Sequence, residues 1–525
     1  MKRFILIIIF CFCFISVYLI ASNDNDKNNK NKNKRERDST VLLYEKANEL
    51  KYIRFSEDSL FTPEQMREDL LFFYDKILRT HPNPYHVISK DSLDKKVQDL
   101  LIDLNRPMNR REFWLKIATF NSYFDAHTCC FRIKEIIDYH NENSKPRITK
   151  NIANNLLMLD SLGNMCFNYG YNDSLLAGKQ IKSVNGISAT QIIDIISKYY
   201  SHENKNRESI LFSSNFLLLF ANIFGVVDSL QIEYVKNGND IDVHTFYSKT
   251  SSNNTTTNQP KQQDTYKNIW EGKNFVRFNF YEKDSIAIIE LNTFDYLHLG
   301  DNYRKDLEKI MDVVVKKNIK HLFIDISANG GGGDYYAVEI LNFIKTKKKK
   351  YYNGSAEIRI SPAYREFMGR MYGEKPSLFE KIFDKYYRQT FKTPTDSIIR
   401  DDYYWKKNNS KIQYTQNLYL IQSVMATASA STTLSSLVKT YKFGTIIGEE
   451  TAGLTGCYIN GVNFAMPNTS IPFMCSMKRA TDVGGAMDGR GVLPDIEYKI
   501  ENPYNSFTLE QLKEMLQLVD KHKGK

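Results

Sequence analysis

Cysteine, histidine, tryptophan and proline are thinly spread in this chain, with 7, 9, 3 and 13 copies in 525 residues. Cys11 and Cys13 lie in the first apolar run. The other five (Cys129, Cys130, Cys166, Cys457 and Cys475) are odd in number and scattered, so no disulfide framework can be read from them. "HTCC", His127 to Cys130, sets an imidazole beside thiols. It lacks a second paired cluster at zinc-like spacing, and no metal is expected. The chain also lacks a G-x-x-x-x-G-K-[ST] loop and a spaced G-x-G-x-x-G with its later acid, so no nucleotide or other cofactor is called for. No basic motif with interleaved aromatics stands out, which argues against nucleic acid.

What is present is a globular composition, 42% apolar and 25% charged. The net charge is +10, of which residues 1–40 supply +4. Those residues open with Lys2 and Arg3 and 18 uncharged residues from Phe4 to Ala21. Residues 1–22 therefore read as a signal peptide or membrane anchor, with an exported body in the cell envelope, periplasmic or membrane-anchored. Residues 23–40 read as a basic polar tether.

Residues 41–145 are expected to form an N-terminal helical domain. In "FTPEQMREDLLFFYDKIL" Thr62 can cap, Pro63 takes the first helical position, Gln65 can close a capping box, and Met66, Leu70, Phe73 and Ile77 share a face. In "HPNPYHVI" the prolines enforce an extended turn, and His81 and His86 are expected to pack or face water. Residues 146–250 change to short apolar runs and turns, with a hairpin signal at Asn185-Gly186 ahead of an amphipathic helix, as in a PDZ-like module. A small β-rich domain without a ligand fits this stretch equally well. Residues 251–270 form a polar loop.

Over residues 271–500 strands and helices alternate, which points to an α/β core with parallel strands. Residues 351–412 interrupt it as an insertion, the Lys347–Lys350 run reads as a solvated face, and residues 501–525 as a C-terminal helix.

Three pieces of this core and one from the N-terminal domain carry chemistry in combination. In "ATASASTTL" Ser429 falls where the strand "NLYLIQSV" gives way to a helix, close to unpaired amides and the positive end of the helix dipole; a capping role is the bland alternative. In "DISANGGGGD" four glycines after a buried strand let amides point into a site, as an oxyanion hole requires. In "DAHT" His127 is suited to accept a serine proton near neutral pH. In "MDGRGVLPDIEY" Asp488 could orient that ring or simply be a solvated turn residue.

Together "LFIDISANGGGG", "TASASTTLSSLVKTYKFGTIIGEETAG", "DAHT" and "GRGVLPDI" resemble the S41 family of serine peptidases, the C-terminal processing (tail-specific) and tricorn-like enzymes, from about Thr62 to Ile496. The resemblance implies a crotonase-like βα peptidase core joined to the helical and PDZ-like domains. It implies Ser429 as nucleophile and the amides of Gly331 or Gly332 and of Ala430 as oxyanion donors. In the processing branch a lysine follows the nucleophile by 25 residues; here Leu454 stands there, so the implied base is the histidine of the tricorn-like branch, His127. Ala126 replaces that branch's neighbouring serine, and Asp488 stands where a glutamate is expected. The implied activity is an endopeptidase acting on peptides or unfolded protein tails. The alternative is a catalytically silent peptide-binding protein of the same fold.

Overall fold

In the computed structural model, residues 53–523 are described, apart from 54, 57, 132–155, 161, 169–174, 202–207, 226, 228, 248–274, 301, 374–375, 409 and 488. The expected leader, tether and polar loop fall outside the described residues. The chain makes two compact bodies, one drawn from Lys261–Asn460 and Lys478–Lys525, the other from Glu49–Pro260 and Gly461–Met477.

The first body is built on a six-stranded sheet. Its strands, β1 (Val276–Tyr281), β2 (Ile286–Leu291), β3 (His321–Asp325), β4 (Asn417–Gln422), β5 (Thr445–Gly448) and β6 (Ile496–Glu497), lie side by side in chain order. β1 and β2 are antiparallel and every later pair is parallel. All six residues of β2 are buried, as a strand covered on both faces requires. The alternation of side chains splits each strand between two cores. Ala287, Ile289, Leu322, Ile324 and Leu420 join the helices α1 (Tyr303–Lys316) and α3 (Ala430–Tyr441), with α2 (Asp334–Glu339) between them in sequence. Ile288, Phe323, Tyr419 and Ile421 instead join Leu512, Met515 and Val519 of α4 (Leu509–Lys523).

The segment 351–412, expected as an insertion, holds more than helices. The strand Lys350–Arg359 pairs antiparallel with Ile398–Lys406 on one side and with residues 478–482 on the other. Between the two strands run Pro362–Tyr372, Leu378–Phe383 and Lys385–Lys392, all helical.

In the second body the helix Pro63–Thr80 starts as its sequence predicts, with Thr62 capping and Gln65 completing the box. Further on, Arg110–Ile117 is α-helical, and Ala118–Tyr123 tightens into a 3-10 helix. An antiparallel sheet orders Ile187–Ser188, Ile181–Val184, Ser229–Asn237 and Asp240–Tyr247, followed in chain order after its first hairpin by Ala189–Ile196. Asn185 and Gly186 have φ of 50° and 77°, the two left-handed residues of a tight hairpin. The returning segment 461–477 completes this body: Phe473 and Met474 pair with Cys130 and Cys129, and buried Phe473 lies edge-on to Phe73 with ring centroids 5.0 Å apart.

Candidate active site

β4 and α3 are joined by residues 423–429, a hairpin bend held by hydroxyls rather than by regular structure. Ser423 Oγ donates to the carbonyl of Ser327 at 2.5 Å, and Thr427 Oγ1 donates to that of Ile326 at 3.0 Å. The backbone of Asn329 accepts from the Ala428 amide at 3.2 Å, while its side-chain amide donates to Leu291 at 2.7 Å. The loop after β3 is thereby stitched to the loop after β4.

At the end of this bend Ser429 precedes α3 with φ 56° and ψ −124°, a conformation an L-residue adopts only when its surroundings enforce it. Its carbonyl accepts from the Thr433 amide at 3.1 Å, yet its hydroxyl makes no capping bond. The bland alternative, that Ser429 is merely a cap, therefore fails on geometry.

The glycine run lies directly against it. A Cβ on Gly331, whose φ is +107°, would stand 2.6 Å from Ser429 Cβ and 2.7 Å from the Ala428 carbonyl oxygen. Gly332, at φ +138°, is equally crowded by the backbone of Phe294. Gly453 closes the other flank, where a Cβ would come within 2.9 Å of the Ser429 nitrogen. The two expected amides differ. That of Gly331 is engaged, donating to Asn329 Oδ1 at 2.9 Å, whereas those of Gly332 and Ala430 enter no hydrogen bond with a described residue.

His127 belongs to the second body, on a turn fixed from below by Asp125. Asp125 is fully buried and accepts three bonds: the His127 amide at 2.8 Å, Ser476 Oγ at 2.7 Å and the His81 ring at 2.8 Å. His81 Nδ1 accepts the Asn83 amide at 3.0 Å, which leaves its Nε2 to face Asp125 as the donor. His86 stacks on His81 with centroids 5.3 Å apart. Burial pushes the Asp125 carboxyl up, but the hydrogen bond from His81 works against it, and the group is held well below the usual carboxylate range.

Sequence comparison decides what the strand, glycine and serine blocks belong to: residues 285–498 match the model of peptidase family S41. This segment is an S41 peptidase domain. The enzyme is accordingly a hydrolase of the serine-peptidase class. Among solved structures, mature CPAF complexed with lactacystin is 13% identical over 87% of this chain and 99% of its own, with a TM-score of 0.57. Mature CPAF alone gives 13% identity, 83% and 92% coverage and 0.54. The photosystem II D1 C-terminal processing protease gives 14%, 84% and 94%, with 0.45. At such identities the likeness to CPAF is one of fold. No curated protein matches the sequence.

Within the S41 domain Leu454, at the position of the processing-branch lysine, is buried and apolar. Beside α3 sit two acids that the sequence does not single out. Asp482 accepts from Ser436 Oγ at 2.9 Å and Thr433 Oγ1 at 3.2 Å; burial nonetheless pushes its carboxyl up to about 7. Asp334, the first residue of α2, is buried with both carboxyl oxygens unpartnered among the described residues. Burial, with the nearby Asp482, raises it well above its ordinary range.

Of the residues expected at the site, Ser429, Gly331, Gly332 and Ala430 come together in the first body, His127 is carried by the second, and Asp488 lies outside the described residues. The pairing of Asp125 with His81 was not anticipated. The local spacing points only to the other bond, that from the His127 amide, since a carboxylate in such a turn accepts the amide two residues on.

Proposed function

We propose that this chain is an exported serine endopeptidase, periplasmic or membrane-anchored through residues 1–22, that cuts peptides or unfolded protein tails through an acyl-enzyme. The reading is carried by Ser429, a hydroxyl at a helix N-terminus in a strained conformation, uncommitted to capping and backed by a glycine that admits no side chain. In the proposed reaction His127 accepts the Ser429 proton as Oγ attacks the scissile carbonyl. Asp488 holds the imidazole, and the negative charge on the carbonyl oxygen is met by the amides of Gly332 and Ala430. Gly331, its own amide bound to Asn329, serves by keeping the approach open. His127 then returns the proton to the leaving amine, and water releases the acyl group by the same exchange. The domain reading that accompanies this is a crotonase-like core over 271–500, interrupted at 351–412, with a helical domain at 41–145 and a PDZ-like module at 146–250 that presents polypeptide as an added strand.

The test is fluorophosphonate labelling of the pure protein, with Ser429→Ala and His127→Ala variants alongside. Labelling of the wild type, none in Ser429→Ala and strongly slowed labelling in His127→Ala are expected. A wild type that takes no label and cleaves no peptide, yet binds peptide as well as Ser429→Ala does, would mean a silent binder.

A further inference from the structure

The helix that begins at Ser429 ends at Tyr441, and at that end two hollows of about 510 and 620 Å³ adjoin, sharing Lys442 and Phe443. Six lysines line them (Lys345, Lys347, Lys348, Lys439, Lys442 and Lys523) against one carboxylate, Asp495. That carboxylate is already committed, to Lys439 at 2.8 Å and to the Ile446 amide at 2.9 Å. The other five lysines have no acidic partner among the described residues. Lys348 instead sits 5.2 Å from the ring centre of Tyr441 and 5.8 Å from that of Tyr351, over an aromatic floor.

The end of α3 does not account for this charge. Two of the carbonyls in its last turn are met by the chain itself, the Lys442 amide bonding Lys439 at 3.3 Å and the Phe443 amide bonding Val438 at 3.0 Å. Ammonium groups gathered without counter-charge repel one another and raise the local concentration of any anion. No arginine lines either hollow, so the forked geometry that suits phosphate is missing, and what remains is a set of separate point charges lining two adjoining hollows. Such a set suits carboxylates spaced along an extended chain.

We infer that this groove is an exosite for an acidic stretch of the polypeptide substrate. Its link to hydrolysis rests on the serine-peptidase reading; its binding does not. The 12 residues of α3 span about 18 Å, and an extended peptide advances about 3.3 Å per residue. The acidic stretch must then lie at least about six residues from the scissile bond.

Binding is measured on the full chain carrying Ser429→Ala, by fluorescence anisotropy with a glutamate-rich 12-residue peptide and its glutamine counterpart. The glutamate peptide should bind at least tenfold tighter, weaken with salt, and lose that advantage in K345E/K347E/K348E. Equal binding of the two peptides overturns the inference. So does tighter binding of an oligodeoxynucleotide, tripolyphosphate or phosphatidylglycerol vesicles, each abolished by the same triple change. In the active enzyme the triple variant should raise KM about tenfold for a substrate with an acidic tail, leaving kcat and the untailed substrate unchanged. Equal effects on both substrates overturn the exosite. Absence of all hydrolysis with peptide binding intact overturns the peptidase reading alone.

Discussion

Gly331 and Ser429 approach so closely that a methyl group on the glycine would lie 2.6 Å from the serine Cβ. Gly331→Ala must therefore push the Ser429 bend aside, and its φ of +107° disfavours any side chain besides. Hydrolysis should fall by about 100-fold or more, the order seen when an oxyanion donor is lost. Thermal unfolding and slowed fluorophosphonate labelling, measured together, separate a local displacement from global loss of fold.

Asp125→Asn should weaken the body that carries His127. The amide cannot accept from all three donors, and its own N–H₂ faces the donor Nε2–H of His81. Breaking a buried arrangement of this kind costs about 3 kcal/mol, read as a lower urea midpoint at pH 7. The sign with pH follows from the depressed carboxyl. Its contribution is present above the ordinary value of 3.8 and is lost as pH falls through the lower folded value, so the difference between wild type and variant should shrink in acid.

Asp482 should behave in the opposite sense. With a folded value of about 7 against an ordinary 3.8, its contribution is present below 3.8 and disappears as pH rises to about 7. Asp482→Asn keeps an acceptor for Ser436 and Thr433 and removes the titration. The fall in melting temperature between pH 4.5 and pH 8 should be smaller in the variant than in the wild type. Asp334→Asn should act in the same direction, because burial raises that carboxyl as well.

Asp69→Ala tests how segment 461–477 is held. Asp69 is buried and accepts the amides of Asn468 and Thr469, each at 2.8 Å, and Thr469 Oγ1 at 2.5 Å. Leaving these donors unmet should cost about 3 kcal/mol or more. Limited proteolysis should then cut within 461–477 before elsewhere in that body.

The parts of this fold legible in sequence are those governed by short-range rules. The cap at Thr62, the left-handed Asn185-Gly186 turn and the strand-glycine-helix order around β3 and β4 each follow from a few adjacent residues. The glycine run alone is a weak signal, and its place beside Ser429 is expected only from the S41 resemblance. What stayed hidden depends on partners far apart in the chain. Nothing local marks the bond of His81 to an acceptor 44 residues away, or that of Asp482 to its donors on α3. The strands at Lys350–Arg359 and Ile398–Lys406 were obscured by dense charge and by the helices between them. The choice between the Gly331 and Gly332 amides turned on a single side chain, Asn329, which no pattern specifies.

The hydroxyl of Ser476 reaches Asp125 across 351 positions of sequence. During synthesis the turn bearing His127 therefore leaves the ribosome long before the residue that completes its anchorage. Until Ser476 has been made, that anchorage stays open, and the turn bearing His127 lacks one of its supports. The order in which the ribosome delivers these segments thus delays completion of this turn until residue 476 has emerged.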